Sequence, residues 1–508
     1  MIERTLDKLA PLMPERVARW RRALDLVDRE LRELLKKEII ATGHAVLGDQ
    51  REQILLSLPP PEKAKGVFNL GTILYCTEKW PAGLQRKELM QNLAIFGRSG
   101  AGKTNVVFHI LQQLVTERVP FLFLDWKRTG RHLLPRLGKK ARVYTPGRKL
   151  APFPFNPFVA PPGIEQAVYA NHVVDVLGDA YTLGDAARSV LQKALASVKG
   201  MPTVEKIKQA VNDIPDRERV RGWKTSALRA LESVEVLGLS SDDQDEQVSA
   251  LCQGSVILEL DGLAPSNKKF LLPLLCLWVY YLKLPTAKRE VLNLVIVVEE
   301  AHHLLYRKTN GSESLMEQLL RQCREIGIGV VVVDQHPHLI SSAALGNTYA
   351  TICLNLKDPA DMSKAANVTL TGEKELFSRL PVGHGVVKLQ DRWTKPFLVR
   401  FPLVPVAKGE VTDELLKQHI LAGGTLSGVS AAVHAGSAAE GRSRNADSPL
   451  SEEELLFIDD VLQYPDEGVD ARYKRLGINT DKGHKRKRRL ITRGIFEEDG
   501  IKIGRTTR

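Results

Sequence analysis

Gly97-Arg98-Ser99-Gly100-Ala101-Gly102-Lys103-Thr104 fits the phosphate-cradling pattern G-x-x-x-x-G-K-[ST] at every fixed position, and its reading decides the fold. Glycines let backbone N–H groups turn inward around phosphates, Lys103 reaches the β and γ oxygens of a nucleoside triphosphate, and the Thr104 hydroxyl ligates Mg²⁺. The flanks have the form this chemistry needs. Leu93-Ala94-Ile95-Phe96 is an apolar run of strand length, and 105–115 carries helical apolar spacing. The loop therefore joins a buried strand to a helix N-terminus, whose free N–H groups favour anions.

Outward from the loop, apolar runs alternate with helical patterns between about residues 66 and 405, which predicts an α/β domain built on a mainly parallel sheet. Candidate strands lie at 93–96, 120–124, 256–260, 294–298, 329–333 and 351–354. The long helical stretch 165–251 reads as an insertion on this core.

A phosphate loop needs an acidic partner to organise the metal and the attacking water, usually at the end of a neighbouring buried strand. Leu294-Val295-Ile296-Val297-Val298-Glu299-Glu300 supplies it: Glu299 is positioned for the metal shell and Glu300 is the candidate base. Val330-Val331-Val332-Val333-Asp334-Gln335 is a second such strand, ending in an amide suited to sensing the γ-phosphate. Arg321 and Arg324 lie just before it on a helix, either as surface charges or as a finger reaching a neighbouring site across a subunit boundary.

The remaining chain reads as three pieces. Residues 1–65 are helical, and Val17, Trp20, Leu24, Val27, Leu31 and Leu34 form a heptad seam that serves either its own domain or a partner helix. Residues 406–450 form a linker, rich in Gly, Ser and Ala from 422 onward. Residues 451–508 read as helix, helix, turn, helix and a β-hairpin, the order of a winged helix-turn-helix. Between Arg472 and Arg493 there are ten Lys/Arg against one acidic residue. Lys485, Arg486, Lys487, Arg488, Arg489 and Arg493 form a face suited either to DNA phosphates or to docking a protein.

A net charge of +12 over 508 residues agrees with a polyanionic partner. Five scattered cysteines without C-x-x-C spacing argue against a zinc–thiolate site or a disulfide framework. The longest apolar run, 270–284, is too short to span a membrane and contains Lys283. The chain therefore reads as cytoplasmic with no membrane partner. His302, His303, His336 and His338 fall at strand ends already accounted for by nucleotide machinery, so no metal site is assigned to them.

The ordered set Gly97–Thr104, Leu124-Asp125-Trp126-Lys127, Phe155-Asn156-Pro157, Val298-Glu299-Glu300-Ala301-His302, Arg321/Arg324 and Asp334-Gln335-His336-Pro337 resembles the HerA–FtsK superfamily of DNA-pumping ATPases, closest to its HerA branch. The resemblance implies a RecA-like P-loop NTPase core, a homo-hexameric ring around duplex DNA, ATP and Mg²⁺ as cofactors, and a nuclease or other effector as protein partner. It implies Lys103 and Thr104 on phosphate and Mg²⁺, Glu299 and Glu300 on metal and water, Gln335 as sensor, and Arg324, ahead of Arg321, as the trans finger. A helical N-terminus where HerA proteins usually carry a small β-barrel is a departure. Asp334-Gln335-His336-Pro337 replaces the more usual Thr-Gln-Arg-Pro, and the terminal winged helix resembles the FtsK branch.

Overall fold

In the computed structural model the chain divides into two units, Met1–Ser427 and Gly428–Arg508. The described residues are 2–47 except 11, 56–74, 80–137, 141–235 except 154 and 217, 237, 244–285, 289–306, 313–406, 409–421, 457, 460, 469–480, 483–484, 496–499 and 502–505.

The first unit is organised by one eleven-stranded sheet. Its strands are β1 (Phe68–Ile73), β2 (Pro81–Leu84), β3 (Leu93–Phe96), β4 (Phe121–Asp125), β5 (Arg142–Tyr144), β6 (Ser255–Glu259), β7 (Leu294–Glu299), β8 (Ile328–Asp334), β9 (Ala350–Cys353), β10 (His384–Leu389) and β11 (Phe397–Arg400). In space they run β2-β1-β11-β10-β9-β3-β8-β7-β4-β6-β5. From β9 to β5 every pairing is parallel. From β2 to β9 every pairing is antiparallel.

The parallel strands other than the edge strand β5 are buried on both faces, so successive residues feed two different cores. Ala94, Phe96, Leu122 and Leu124 join the helices Gln166–Ala180 and Pro265–Lys283 on one side. Leu93, Ile95, Phe121 and Phe123 pack with the helix Lys103–Thr116 on the other. Double coverage is why these strands read as continuous apolar runs. Between β5 and β6 the described residues form five helices, from Gln166–Ala180 to Gln244–Leu251.

The N-terminal segment differs from a single heptad seam. Its described residues form the helices Ile2–Leu9, Pro14–Leu26 and Arg29–Leu47. Val27 leaves helical geometry at φ −87°, ψ 153°, and the Asp28 carboxylate accepts from the N–H groups of Glu30 and Leu31 at 3.1 and 2.9 Å. That cap starts a new helix with a new orientation. Val17 and Trp20 remain buried with Leu6, Leu9 and Ile39, while Leu31 and Leu34 are 54% and 60% exposed.

The packed chain also continues past 405, the expected start of a linker. The helix Asp413–Leu421 buries Leu416 and His419, and Asp413 pairs with Arg128, Arg131 and Arg148. Within the second unit a helix Val469–Arg475 and a hairpin of Phe496–Asp499 with Lys502–Arg505 are described. The expected third helix, with Lys485, Arg486, Lys487, Arg488, Arg489 and Arg493, lies outside the described residues, as does Cys76.

Candidate nucleotide site

The phosphate loop occupies the turn between β3 and the helix Lys103–Thr116. Gly100 and Gly102 adopt φ of 78° and 108°, conformations that L side chains rarely take. The loop is tied down on both sides. Gly97 N–H donates to Asp334 O at 3.3 Å, and Arg98 N–H donates to Asn355 O at 2.7 Å. The Arg98 side chain adds a 2.5 Å bond to Asn355 Oδ1, and Asn355 in turn donates to Ser378 O and Leu380 O. Gly102 caps the helix without a side-chain acceptor, leaving the first-turn N–H groups to face an anion. The Lys103 ammonium donates to Gly97 O and Arg98 O at 2.6 and 3.1 Å. Burial and the nearby Lys127 push it down to about 8, against the pull of Glu300, Asp334 and Glu299.

Three parallel strands on one side of the loop, β4, β7 and β8, end in acidic groups on the same edge of the sheet, where open α/β sheets bind ligands. Asp125 ends β4, Glu299 ends β7 with Glu300 next in the chain, and Asp334 ends β8, beside Phe96 of β3, with Gln335 next. Asp125 is fully buried and accepts from Gly130 N–H at 2.6 Å and Lys127 N–H at 3.1 Å. Glu299 is 5% exposed, and its buried Oε2 has no hydrogen-bond partner among the described residues. Burial, then the charges of Asp125 and Glu300, push its carboxyl well above the usual range. An orphaned oxygen on a carboxylate that resists ionising is what a cation would satisfy, so Glu299 and the half-buried Thr104 fit a Mg²⁺ ion that arrives with phosphate.

Glu300 sits in left-handed backbone at φ 47°. Its carboxylate is ion-paired to the Lys127 ammonium and accepts from Gln335 Nε2 at 2.8 Å. Burial favours the neutral acid, but these two contacts outweigh it and hold Glu300 below the usual carboxylate range. The candidate base and the candidate sensor are thus joined directly. Asp334 accepts from His302 N–H and Nδ1 at 2.7 and 2.8 Å and from His336 N–H at 2.8 Å. Those bonds hold it below the usual carboxylate range despite burial, and its hydrogen bond to His302, with its charge, raises that imidazole.

The two arginines separate clearly. Arg321 is held by Glu313 through two bonds of 2.6 and 2.5 Å. Arg324 is exposed and has no partner among the described residues. It lies on the turn Cys323–Ile326, ahead of β8, while the phosphate loop adjoins the other end of that strand. Seven extended residues put about 20 Å between them.

Three contributors carried no role in the sequence reading. Lys127 holds Glu300, Asn355 anchors Arg98, and Asp361 accepts from His336 and His338. Lys127 follows Asp125-Trp126 at the end of β4, and a cation two residues after a strand-end Asp is a usable sequence signal. Nothing local marks Asn355 or Asp361.

A family model described as the central domain of the helicase HerA matches residues 68–235. Among solved structures, VirB4 of Thermoanaerobacter pseudethanolicus aligns with a TM-score of 0.52 at 15% identity, over 66% of this chain and 97% of that one. Plasmid coupling protein TrwB with the non-hydrolysable ATP analogue ADPNP gives 0.50 at 11% identity, over 65% and 89%. TrwB with ADP and Mg²⁺ gives 0.49 at 11% identity, with the same coverage. At these identities the likeness is one of fold. No curated protein matches the sequence.

Proposed function

We propose, for a chain that is a P-loop ATPase of the HerA–FtsK type, that it works as a homo-hexameric ring which hydrolyses ATP to move along DNA, most simply a duplex. The observation that carries the reading is the distribution of groups along β8. The phosphate loop, Glu299, Glu300 and Gln335 gather at one end of the strand, and an exposed Arg324, unpaired among the described residues, stands at the other. A finger that far from its own loop serves a neighbour's loop, which is the logic of a ring.

In this reading the helix N-terminus and Lys103 hold the β and γ phosphates, and Thr104 with Glu299 holds Mg²⁺. The ion supplies positive charge against the charge that develops on the transferred phosphoryl group. Glu300 orients the attacking water and takes its proton. Gln335, bonded to Glu300, reports the state of the γ-phosphate along β8 toward Arg324. A cavity of about 650 Å³ beside Gly102 and Asn105, walled by Val382, Phe401, Pro402 and Leu403, offers apolar surface for the base. The basic residues 485–489 and Arg493, on a winged-helix domain, bring the motor to DNA.

DNA should stimulate hydrolysis, and Lys103→Ala or Glu300→Gln should abolish turnover. Hydrolysis that proceeds at the same rate with and without DNA contradicts a motor. Stable co-purification with a nuclease and no displacement of a DNA-bound block would move the reading to an ATP-switched ring scaffold in repair or defence. A conjugative motor is the second reading, favoured by the fold likeness to TrwB and VirB4. No helix among the described residues is long and apolar enough to cross a membrane.

A further inference from the structure

We propose that His336, His338 and Asp361 form a binding site for one divalent transition-metal ion, with Zn²⁺ the best match, separate from the Mg²⁺ that accompanies nucleotide. The fold assembles the three from distant places. His336-Pro337-His338 follows the end of β8, and Asp361 comes from the first turn of the helix Pro359–Thr369. That helix is already capped by Asp358, which accepts from Ala360 N–H and Asp361 N–H at 2.8 and 3.2 Å. The Asp361 carboxylate is therefore not spent on the cap.

Its side chain is 3% exposed, and each oxygen meets one imidazole. Oδ2 lies 3.0 Å from His336 Nδ1 and Oδ1 lies 2.6 Å from His338 Nδ1. A further, long contact of 3.3 Å comes from His338 N–H. One ligand atom from each residue falls within 4.8 Å of the others. Zinc binds nitrogen and carboxylate oxygen at ~2.0–2.1 Å, which sets neighbouring ligand atoms ~3 Å apart. The cluster needs only a slight opening, with each imidazole carrying its proton on Nε2, for an ion to sit between the three ligand atoms.

The electrostatics point the same way. Imidazole donors satisfy the lone pairs of a buried carboxylate without cancelling its charge, whereas a divalent cation does both. The neighbouring group of Glu300, His302 and Asp334 shows the contrast. There Lys127 already supplies a cation to Glu300, and Asp334 takes two backbone N–H groups besides His302 Nδ1. Two imidazoles with one carboxylate select zinc, cobalt or nickel over magnesium or calcium. The histidine side chains are 48% and 37% exposed, and His336 and Asp361 border a cleft of about 400 Å³ lined also by Arg98, Ser99, Gln335 and Lys357. That cleft gives the ion an entry path and room for water in its remaining positions. An ion here would tie the end of β8, one residue beyond Gln335, to the helix Pro359–Thr369.

The test uses the full-length protein, stripped with chelator and then held in saturating ADP and Mg²⁺. Co²⁺ titration should give the visible absorption of a low-symmetry cobalt site at one equivalent per chain, displaced by Zn²⁺. His338→Ala, a change at an exposed position, should weaken Co²⁺ binding tenfold or more, as should Asp361→Asn. His302→Ala should bind as the unaltered protein does. Absence of the band in the unaltered protein, equal affinity in His338→Ala, or a loss in His302→Ala alone would each overturn the assignment.

Discussion

Replacing Lys127 by methionine removes the cation from the centre of the site while keeping most of its side-chain bulk. Lys127 is ion-paired to Glu300, and its charge also acts on Glu299 and on Lys103. It favours the ionised form of both carboxylates and disfavours the ammonium form of Lys103. Its removal therefore raises all three groups. An opposite charge in contact lowers a carboxylate by roughly one to three pH units. The Lys127 side chain is 48% exposed, so solvent screening places the effect at the low end, about one unit. In a profile of kcat/KM against pH, Glu300 must be ionised to act as base, so activity falls on the acid side as it protonates. Lys103 must be charged to hold phosphate, so activity falls on the alkaline side, near pH 8 in the unaltered protein. Both limbs should move to higher pH in Lys127→Met, the acid limb by about one unit. The assay is DNA-saturated phosphate release at subsaturating ATP across the pH range, with unfolding checked at each end. A profile that stays in place, or narrows from both sides, refutes the assignment of Glu300 and Lys103 as the groups coupled through Lys127.

Three other expectations concern the scaffold and the basic C-terminal end. Arg131→Met leaves Glu259 buried without the guanidinium that donates to both its oxygens, which should destabilise the first unit by about 3 kcal/mol. Arg148, 3.9 Å away, offsets part of the loss; a urea midpoint unchanged at constant slope would contradict it. Gly102→Ala finds nothing closer than 3.6 Å but must hold φ 108°, a strain of about 1–3 kcal/mol, so ADP affinity should fall roughly tenfold or more with little change in fold. Deleting 451–508 should weaken DNA binding at fixed salt and spare basal hydrolysis; equal DNA affinity would assign the basic residues to a protein partner.

The sequence carried the centre of the sheet and lost its edges, for a physical reason. β3, β4, β6, β7, β8 and β9 are covered on both faces and so announce themselves as apolar runs. β5 has three residues, and β1 contains Gly71 and a register shift between Asn69 and Gly71. β10 and β11 complete the antiparallel side with Lys388, His384 and Arg400 among their residues, so no long apolar run marks them. At the site, the pattern located groups that end strands, because a strand end is a local property. It missed Asn355 beneath Arg98 and Asp361 beneath the histidines, whose partners lie 257 and 25 residues away. Two misses had local signals. Asp28, ahead of a helix, breaks the heptad seam, and Thr412-Asp413-Glu414 opens a helix inside the expected linker 406–450.

The claim that neighbours complete each other's sites is tested most directly by mixing two inactive variants. Lys103→Ala retains Arg324 but cannot hold phosphate, and Arg324→Ala retains the phosphate loop but offers no finger. In mixed rings an Arg324→Ala loop beside a Lys103→Ala finger forms an intact interface, at about one interface in four for random equal mixing. DNA-stimulated hydrolysis should therefore reappear on mixing, although each variant alone is silent. A mixture as inactive as its components, under conditions where the subunits exchange, would contradict the account.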